Sequence, residues 1–208
     1  DLLYSEKQLQ KIFNVSRITV RQAIGALTNE GYLQCSRGIG TTVIFKKIDD
    51  NLRKVISSSE EMKQHNVTMK TSYCDVSIEK ANKIVATNLK IEEHEEVYKI
   101  IRVCDADGTP LVYSTSYLKK EFDYPLDPKM CENSLYHFLN TEYGIEISSG
   151  QDTLEAIIAN EKISEFLGIP LDSPIFKRTR KAKNQKEEII EYSVCYYPGN
   201  KYKYSVEL

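Results

Sequence analysis

Arg17 and Arg21 stand one helical turn apart near the start of an amphipathic segment, with Thr19 and Gln22 beside them. Guanidinium groups at this spacing satisfy phosphates or make forked hydrogen bonds to guanine, and Thr and Gln side chains reach base edges. Ser16, just before them, carries the hydroxyl of a helix N-cap. Two cations at a helix start conflict with the positive end of the helix dipole, and an anionic partner there removes the conflict. A solvated helix face is the plain reading of an isolated arginine pair, so its surroundings decide. Downstream lies Arg37-Gly38-Ile39-Gly40, in which the two glycines permit positive φ and close backbone approach, with a cation alongside.

The elements that must position these groups are legible on either side. Ser5 and Gln8 have the spacing of a capping box, and Leu9, Ile12 and Phe13 give residues 6–13 an apolar face. Asn14 and Val15 form a turn before Ser16. Val20, Ala23, Ile24 and Leu27 give the next helix its buried side, and Gly31 ends it. Tyr32–Cys35 and Thr41–Phe45 flank the glycine tip as two strands. Helix, turn, helix and hairpin is the order of a winged helix-turn-helix. In that motif the second helix enters the major groove and a basic hairpin tip reaches the backbone or the neighbouring minor groove.

Residues 3–43 resemble the DNA-binding domain of the GntR family of bacterial transcription regulators. The resemblance rests on Leu3-Tyr4-Ser5-Glu6-Lys7-Gln8-Leu9, Val15-Ser16-Arg17-Ile18-Thr19-Val20-Arg21-Gln22-Ala23-Ile24, Leu27-Thr28-Asn29-Glu30-Gly31 and Gly38-Ile39-Gly40-Thr41-Thr42-Val43. It implies DNA contacts from Lys7, Ser16, Arg17, Thr19, Arg21, Gln22, Arg37, Gly38 and Gly40. Tyr4 stands where the family has proline, at the cost of a preset φ. Lys7 stands where it has arginine, which keeps the charge and loses the planar fork. The family places another helix upstream of this stretch, so the chain as given is expected to be a fragment that lacks it.

Charge divides the chain in the same way. Residues 1–47 hold seven Lys and Arg against three Asp and Glu, and the remainder holds 21 against 27. A basic reader on an acidic second part fits duplex DNA as partner, although the whole chain is near neutral at net −2. The five cysteines (Cys35, Cys74, Cys104, Cys131, Cys195) are widely spaced and include no C-x-x-C pair, as in a reducing cytoplasm. His65, His94 and His137 are far apart, so no metal and no cofactor is expected. Neither a membrane-spanning run nor a signal peptide is present, and the expected location is cytoplasmic.

The organisation read from the sequence is a DNA-binding domain over 1–45, a charged linker over 46–56 and a larger domain over 57–208. Ser57-Ser58-Ser59-Glu60-Glu61-Met62 has the composition of a helix start. Strands are expected at 69–78, 95–103, 111–118, 151–159, 174–182, 188–197 and 202–207, and helices at 82–89, 134–143 and 161–167. Strands with interspersed helices make an α+β domain on an antiparallel sheet. No internal repeat is evident.

This second part resembles the UTRA domain of the HutC subfamily, through Ile101-Arg102-Val103, Asp107-Gly108-Thr109-Pro110, Ser116-Tyr117-Leu118, Ser134-Leu135-Tyr136 and Glu191. The resemblance implies a chorismate-lyase-like fold that binds an effector. It assigns Ser57, Ser58 and Ser59 to a phosphate at a helix start, with Arg102, Ser134 and Tyr136, and it assigns Glu191 and Tyr197 to a sugar. Cys104 and Ser114 replace an arginine and a glutamate common in relatives. Arg178 and Arg180 share one strand face at period two, either as pocket cations or facing solvent.

Together these readings imply a non-enzymatic, ligand-responsive repressor. It would act as a homodimer on a short palindrome of double-stranded operator DNA, and a small anionic metabolite such as a sugar phosphate would release it. A chorismate-lyase-like enzyme fused to a DNA-binding module, and a constitutive DNA-binding protein, are the alternatives.

Overall fold

The computed structural model describes residues 2–29, 32–36, 38, 40–43, 48–51, 69–106, 108–121, 123–131 and 134–205. The chain forms two compact units, Asp1–Lys47 and Ile48–Leu208. Arg37, Gly31 and the proposed helix start at Ser57, Ser58 and Ser59 lie outside the described residues.

In the first unit, α1 (Glu6–Phe13) opens with the expected capping box. The Gln8 backbone N–H donates to Ser5 Oγ, and the Ser5 N–H donates to Gln8 Oε1 at 2.9 Å. Asn14 closes the helix in the left-handed region at φ 52°, a conformation its short polar side chain tolerates. Helix α2 (Arg17–Asn29) follows at once, with Ser16 Oγ accepting the Thr19 N–H at 3.2 Å. Strands β1 (Leu33–Ser36) and β2 (Gly40–Val43) pair antiparallel around Gly38, at φ +86°. The expected apolar faces close only in part: Val20 is buried, whereas Ile12, Phe13 and Leu27 remain exposed. Two short helices and a four-residue hairpin offer too little surface to cover every apolar side chain.

The second unit is a six-stranded antiparallel sheet in the order β4-β5-β6-β9-β8-β7. Along the chain β4 (Met69–Lys80), α3 (Lys83–Leu89), β5 (Glu96–Ala106) and β6 (Thr109–Lys119) precede α4 (Leu135–Tyr143). Then come β7 (Ile147–Ile158), α5 (Glu161–Leu167), β8 (Pro174–Asn184) and β9 (Ile189–Pro198). Helices α3 and α5 cover one sheet face, with Val85, Ala86 and Leu89 on Val97 and Tyr192, and Ile163 and Leu167 on Val103, Tyr113 and Ile175. Helix α4 covers the other, with Leu135 and Leu139 on Tyr98, Ile100 and Leu118. The central strands are covered on both faces, which removes the clean alternation of a half-solvated strand. Most strands run a few residues beyond their expected ends, because ladder pairing continues where apolar patterning has stopped.

Two expectations need correction. The sheet contains a repeat: β4-α3-β5-β6 recurs as β7-α5-β8-β9. Met69 and Ile147, Asn82 and Asn160, and Glu96 and Pro174 mark equivalent points, each 78 residues apart. A local two-fold axis passes through the paired residues Thr115 and Val194, with Ser114 opposite Cys195 and Ser116 opposite Ser193. The repeat is faint in sequence because few side chains persist, among them Asn82/Asn160, Leu89/Leu167, Lys99/Lys177 and Arg102/Arg180. Part of the stretch expected as linker is also a strand. Residues Ile48–Asn51 form β3, paired parallel with β10 (Tyr202–Ser205), because a charged stretch still pairs when its backbone meets an open strand edge.

Asn82 and Asn160 cap their helices alike, accepting the Val85 and Ile163 N–H groups at 3.0 Å. Each Asn→Ala change is expected to cost about 1 kcal/mol, and the double variant to lose the sum, as measured by urea denaturation. Strong non-additivity would contradict independent capping of the two halves.

Candidate functional site

The register of the central strands aligns polar side chains into rows across the α4-facing side of the sheet. Arg102, Ser114, Cys195 and Arg178 form one row, and Ser116, Ser193, Arg180 and Asp152 the next. These side chains, with Cys104, Val112, Glu191 and the start of α4 at Ser134, Leu135 and Tyr136, wall a narrow cavity of about 30 Å³. Ser114, Ser116, Arg178, Arg180, Glu191 and Ser193 are the buried polar and charged residues of the described chain. All six line this one cavity.

Buried charge requires partners. Arg180 is met by Asp152 through a planar fork, Nε to Oδ1 and Nη2 to Oδ2, both at 2.7 Å. Burial and the neighbouring Arg178 both work against the Arg180 cation. The Asp152 hydrogen bonds and charge outweigh them, leaving the guanidinium above its ordinary pKa. Arg178 is 1% exposed, lies over the Tyr197 ring at 5.3 Å and donates from Nη1 to Tyr204 Oη at 3.2 Å. Glu191 accepts the Tyr136 hydroxyl at 2.7 Å. Burial, and next the Glu191 charge, hold the Tyr136 phenol well above its usual range, against the pull of Arg180. Tyr136 is therefore a protonated donor at neutral pH. Burial also raises the Cys195 thiol, although Arg178, Arg180 and Arg102 all pull it down, so three guanidinium groups surround this point of the sheet. An arrangement of cations, hydroxyls and one carboxylate around a narrow cavity suits a small, polar, anionic molecule.

Of the residues expected at an effector site, Arg102, Ser134, Tyr136, Arg178 and Glu191 come together here. Ser134 Oγ also caps α4 by accepting the His137 N–H. Tyr197 sits apart from the wall: it is buried beneath Arg178 and stacked on Tyr202 at 4.0 Å. Ser57, Ser58 and Ser59 lie outside the described residues. Sequence reasoning missed Ser116, Ser193, Cys195 and Asp152, and left Arg180 between pocket and solvent. Their signal was polar residues at period two within strands too long and too apolar for the surface.

The residues expected to meet DNA sit on the first unit. Lys7, Ser16, Arg17, Thr19, Arg21, Gln22, Gly38 and Gly40 are exposed. Arg17 Nε and Arg21 Nε both bind Glu6, at 2.9 and 3.2 Å, with the arginine side chains 68% and 66% exposed. The Arg17 hydrogen bond, with help from Arg21, holds the Glu6 carboxyl below its usual value. This acid orients both arginines, and sequence reasoning gave it no role. The Ser16 and Thr19 hydroxyls bond one another at 2.9 Å. Arg37 lies outside the described residues. No described helix is long and apolar enough to cross a membrane.

Comparison with known proteins agrees with this division. Residues 1–43 match the bacterial regulatory proteins of the gntR family, and residues 64–203 match the UTRA domain. The chain is 28% identical to the HTH-type transcriptional repressor NagR of Bacillus subtilis, over 97% of its length and 83% of that protein. It is 24% identical to the mannosyl-D-glycerate transport/metabolism system repressor MngR of Escherichia coli, over 99% and 86%. The fold is that of PhnF from Mycobacterium smegmatis, with a TM-score of 0.76 at 24% identity over 100% of this chain and 92% of that one. YydK of Bacillus subtilis matches with a TM-score of 0.65 at 25% identity, over 100% and 90%.

Asp152→Ala strands the buried Arg180 charge and is expected to cost about 3–5 kcal/mol. The check is denaturant unfolding beside the double change Asp152→Ala with Arg180→Met, which removes the stranded charge and recovers much of the loss.

Proposed function

This chain belongs to the GntR family of bacterial regulatory proteins and carries a UTRA domain, and we propose that it is a repressor released from DNA by a small anionic metabolite. The observation carrying this reading is the concentration of buried polar and charged side chains around one cavity. A sheet interior has no structural need for three arginines, whereas a binding site for an anion does. A sugar phosphate is the class proposed. Arg102 and Arg178 face its anion, while Glu191, Tyr136 and the serines of β6 and β9 meet its hydroxyls. MngR is named for mannosyl-D-glycerate, a sugar bearing a carboxylate, which is consistent with an anionic sugar derivative. Ser57, Ser58 and Ser59 are proposed to contribute backbone N–H groups to the anion, and Tyr197 to act on it through Arg178.

On the DNA side, Arg17, Thr19, Arg21 and Gln22 enter the major groove. Lys7 and Ser16 sit at the backbone, and Arg37, Gly38 and Gly40 at the hairpin tip. A single reader of this size makes few base contacts, so two copies on a palindrome supply the specificity of an operator. The proposed assembly is a cytoplasmic homodimer, joined through its second domain.

Arg21→Ala is expected to lower affinity about 10- to 100-fold for a duplex selected from random sequence by the wild-type protein. It should also flatten the dependence of binding on salt. Retained affinity would remove Arg21 from the recognition helix. In thermal-shift measurements a panel of hexose phosphates should include one that stabilises the protein and weakens its hold on the selected duplex, and Arg102→Ala should abolish both effects. Equal DNA affinity with every member would refute release by this class.

A further inference from the structure

The two buried arginines of β8 share a tie that leads out of the cavity. Tyr204 Oη accepts from Arg178 Nη1 at 3.2 Å and donates to Asp152 Oδ2 at 3.3 Å, the same carboxylate that forks to Arg180. The Tyr204 ring stacks on Phe176 of β8, with centroids 5.4 Å apart. Two residues earlier, Tyr202 stacks on Tyr197, the ring beneath Arg178. Strand β10 is thus anchored to the sheet by side chains that also set the position of the cavity's guanidinium groups. The backbone of this strand pairs with β3, Tyr204 opposite Asp50 and Ser205 opposite Asn51. Strand β3 begins at Ile48, the residue after Lys47, where the first unit ends.

We propose that Tyr204 is a positioning residue that transmits occupancy of the cavity to β3, the strand that leads directly into the DNA-binding unit. This rests on the reading of the cavity as an anion site. The open room of about 30 Å³ admits no sugar phosphate unless side chains move. Arg178 is a cation whose hydrogen bond to Tyr204 is replaceable by a stronger one to an anion. Asp152 is held by a double fork to Arg180 and stays. An entering anion therefore draws Arg178 off the Tyr204 hydroxyl and removes one polar tie of β10 to the sheet. The β3–β10 pair is four residues long and parallel, a ladder too short to persist without side-chain anchors. Loosening it frees the segment that tethers the DNA-binding unit. The two arrangements of Arg178, on Tyr204 or on the ligand, supply the two-state element that coupling between distant sites requires.

The test is Tyr204→Phe in the full chain, which keeps the ring on Phe176 and deletes only the hydroxyl. Hydrogen exchange at residues 48–51 and 202–205 is followed with and without hexose 6-phosphates and inorganic phosphate, and thermal shift reports binding. Without ligand, exchange in both strands should be roughly tenfold faster in the variant than in wild type. A stabilising phosphate should accelerate wild-type exchange at 48–51 and add nothing in the variant, while stabilising the variant at least as much as wild type, because the variant has no Arg178–Tyr204 bond to break. A purely structural hydroxyl would leave the ligand response intact in the variant, and that outcome overturns the proposal. Thermal stabilisation of wild type with unchanged exchange at 48–51 overturns the relay alone. No stabilisation by any of these anions overturns the relay together with the cavity reading beneath it.

Discussion

A guanidinium group taken into a sheet interior loses its water, and that desolvation costs several kcal/mol unless charge and hydrogen bonds replace it. Arg178 and Arg180, 1% and 6% exposed on adjacent inward positions of β8, impose this requirement on the whole second unit. Asp152 answers for Arg180 from the neighbouring edge strand, because register places it directly opposite. Arg178 is met by a tyrosine face below and a tyrosine hydroxyl beside it. Those two tyrosines belong to β9 and to β10, so the last strand docks where it does partly to complete the shell of a buried cation. Small residues follow from the same constraint: Ser114, Ser116, Ser193 and Cys195 leave the volume into which the arginines and Tyr136 project.

The duplicated sheet explains how such a site arose on a two-fold axis without being symmetric. Arg102 and Arg180 are equivalent positions of the two halves, as are Ser114 and Ser193, so both halves supply a cation and a hydroxyl to a shared centre. Their surroundings differ. The position opposite Arg180 is Asp152, while the one opposite Arg102 is Cys74. Glu191 corresponds to Val112, and Arg178 to Ile100. The second half carries the acids and an additional arginine, and it holds Arg180 in a carboxylate fork. The uneven charge gives the cavity a direction.

What could be read from the sequence was what is local. Ser5 with Gln8, Asn82, Ser134 and Asn160 all cap helices, because a cap depends on side chains within three residues. The helix-turn-helix order was likewise readable from motif and spacing, and Arg102, Ser134, Tyr136 and Glu191, which line the cavity, were picked out by the resemblance to the UTRA domain. Asp152 was not, since its meaning lies in a register 28 residues along the chain. Arg178 and Arg180 had two readings because period two marks a face and says nothing about which face is covered. The repeat was hidden because Ala81, Asn82 and Leu89 persist for helix capping and packing, while the strands kept mainly a pattern of burial, with few identities such as Lys99/Lys177 and Arg102/Arg180. Tyr204 carried no signal at all, as its role depends on where a terminal strand docks.

The two units use the same chemical pair, carboxylate with arginine, in opposite dielectric settings, and the setting decides what each can do. Glu6 holds Arg17 and Arg21 at the surface, where an ion pair competes with water and is weak. Such a clamp orients two guanidinium forks while surrendering them readily to a phosphate or a guanine edge, whose charge or paired acceptors match Glu6 in kind. Asp152 holds Arg180 at 7% and 9% side-chain exposure, where breaking the pair would strand a charge. That clamp does not open for an incoming anion. An anion entering the cavity must therefore turn to Arg102 and Arg178, and of these it is Arg178 that is bonded to the strand beyond the cavity. In the proposed reading, the exposed clamp leaves the two surface arginines adaptable to DNA, and the buried clamp leaves Arg178 as the cation an entering anion would move.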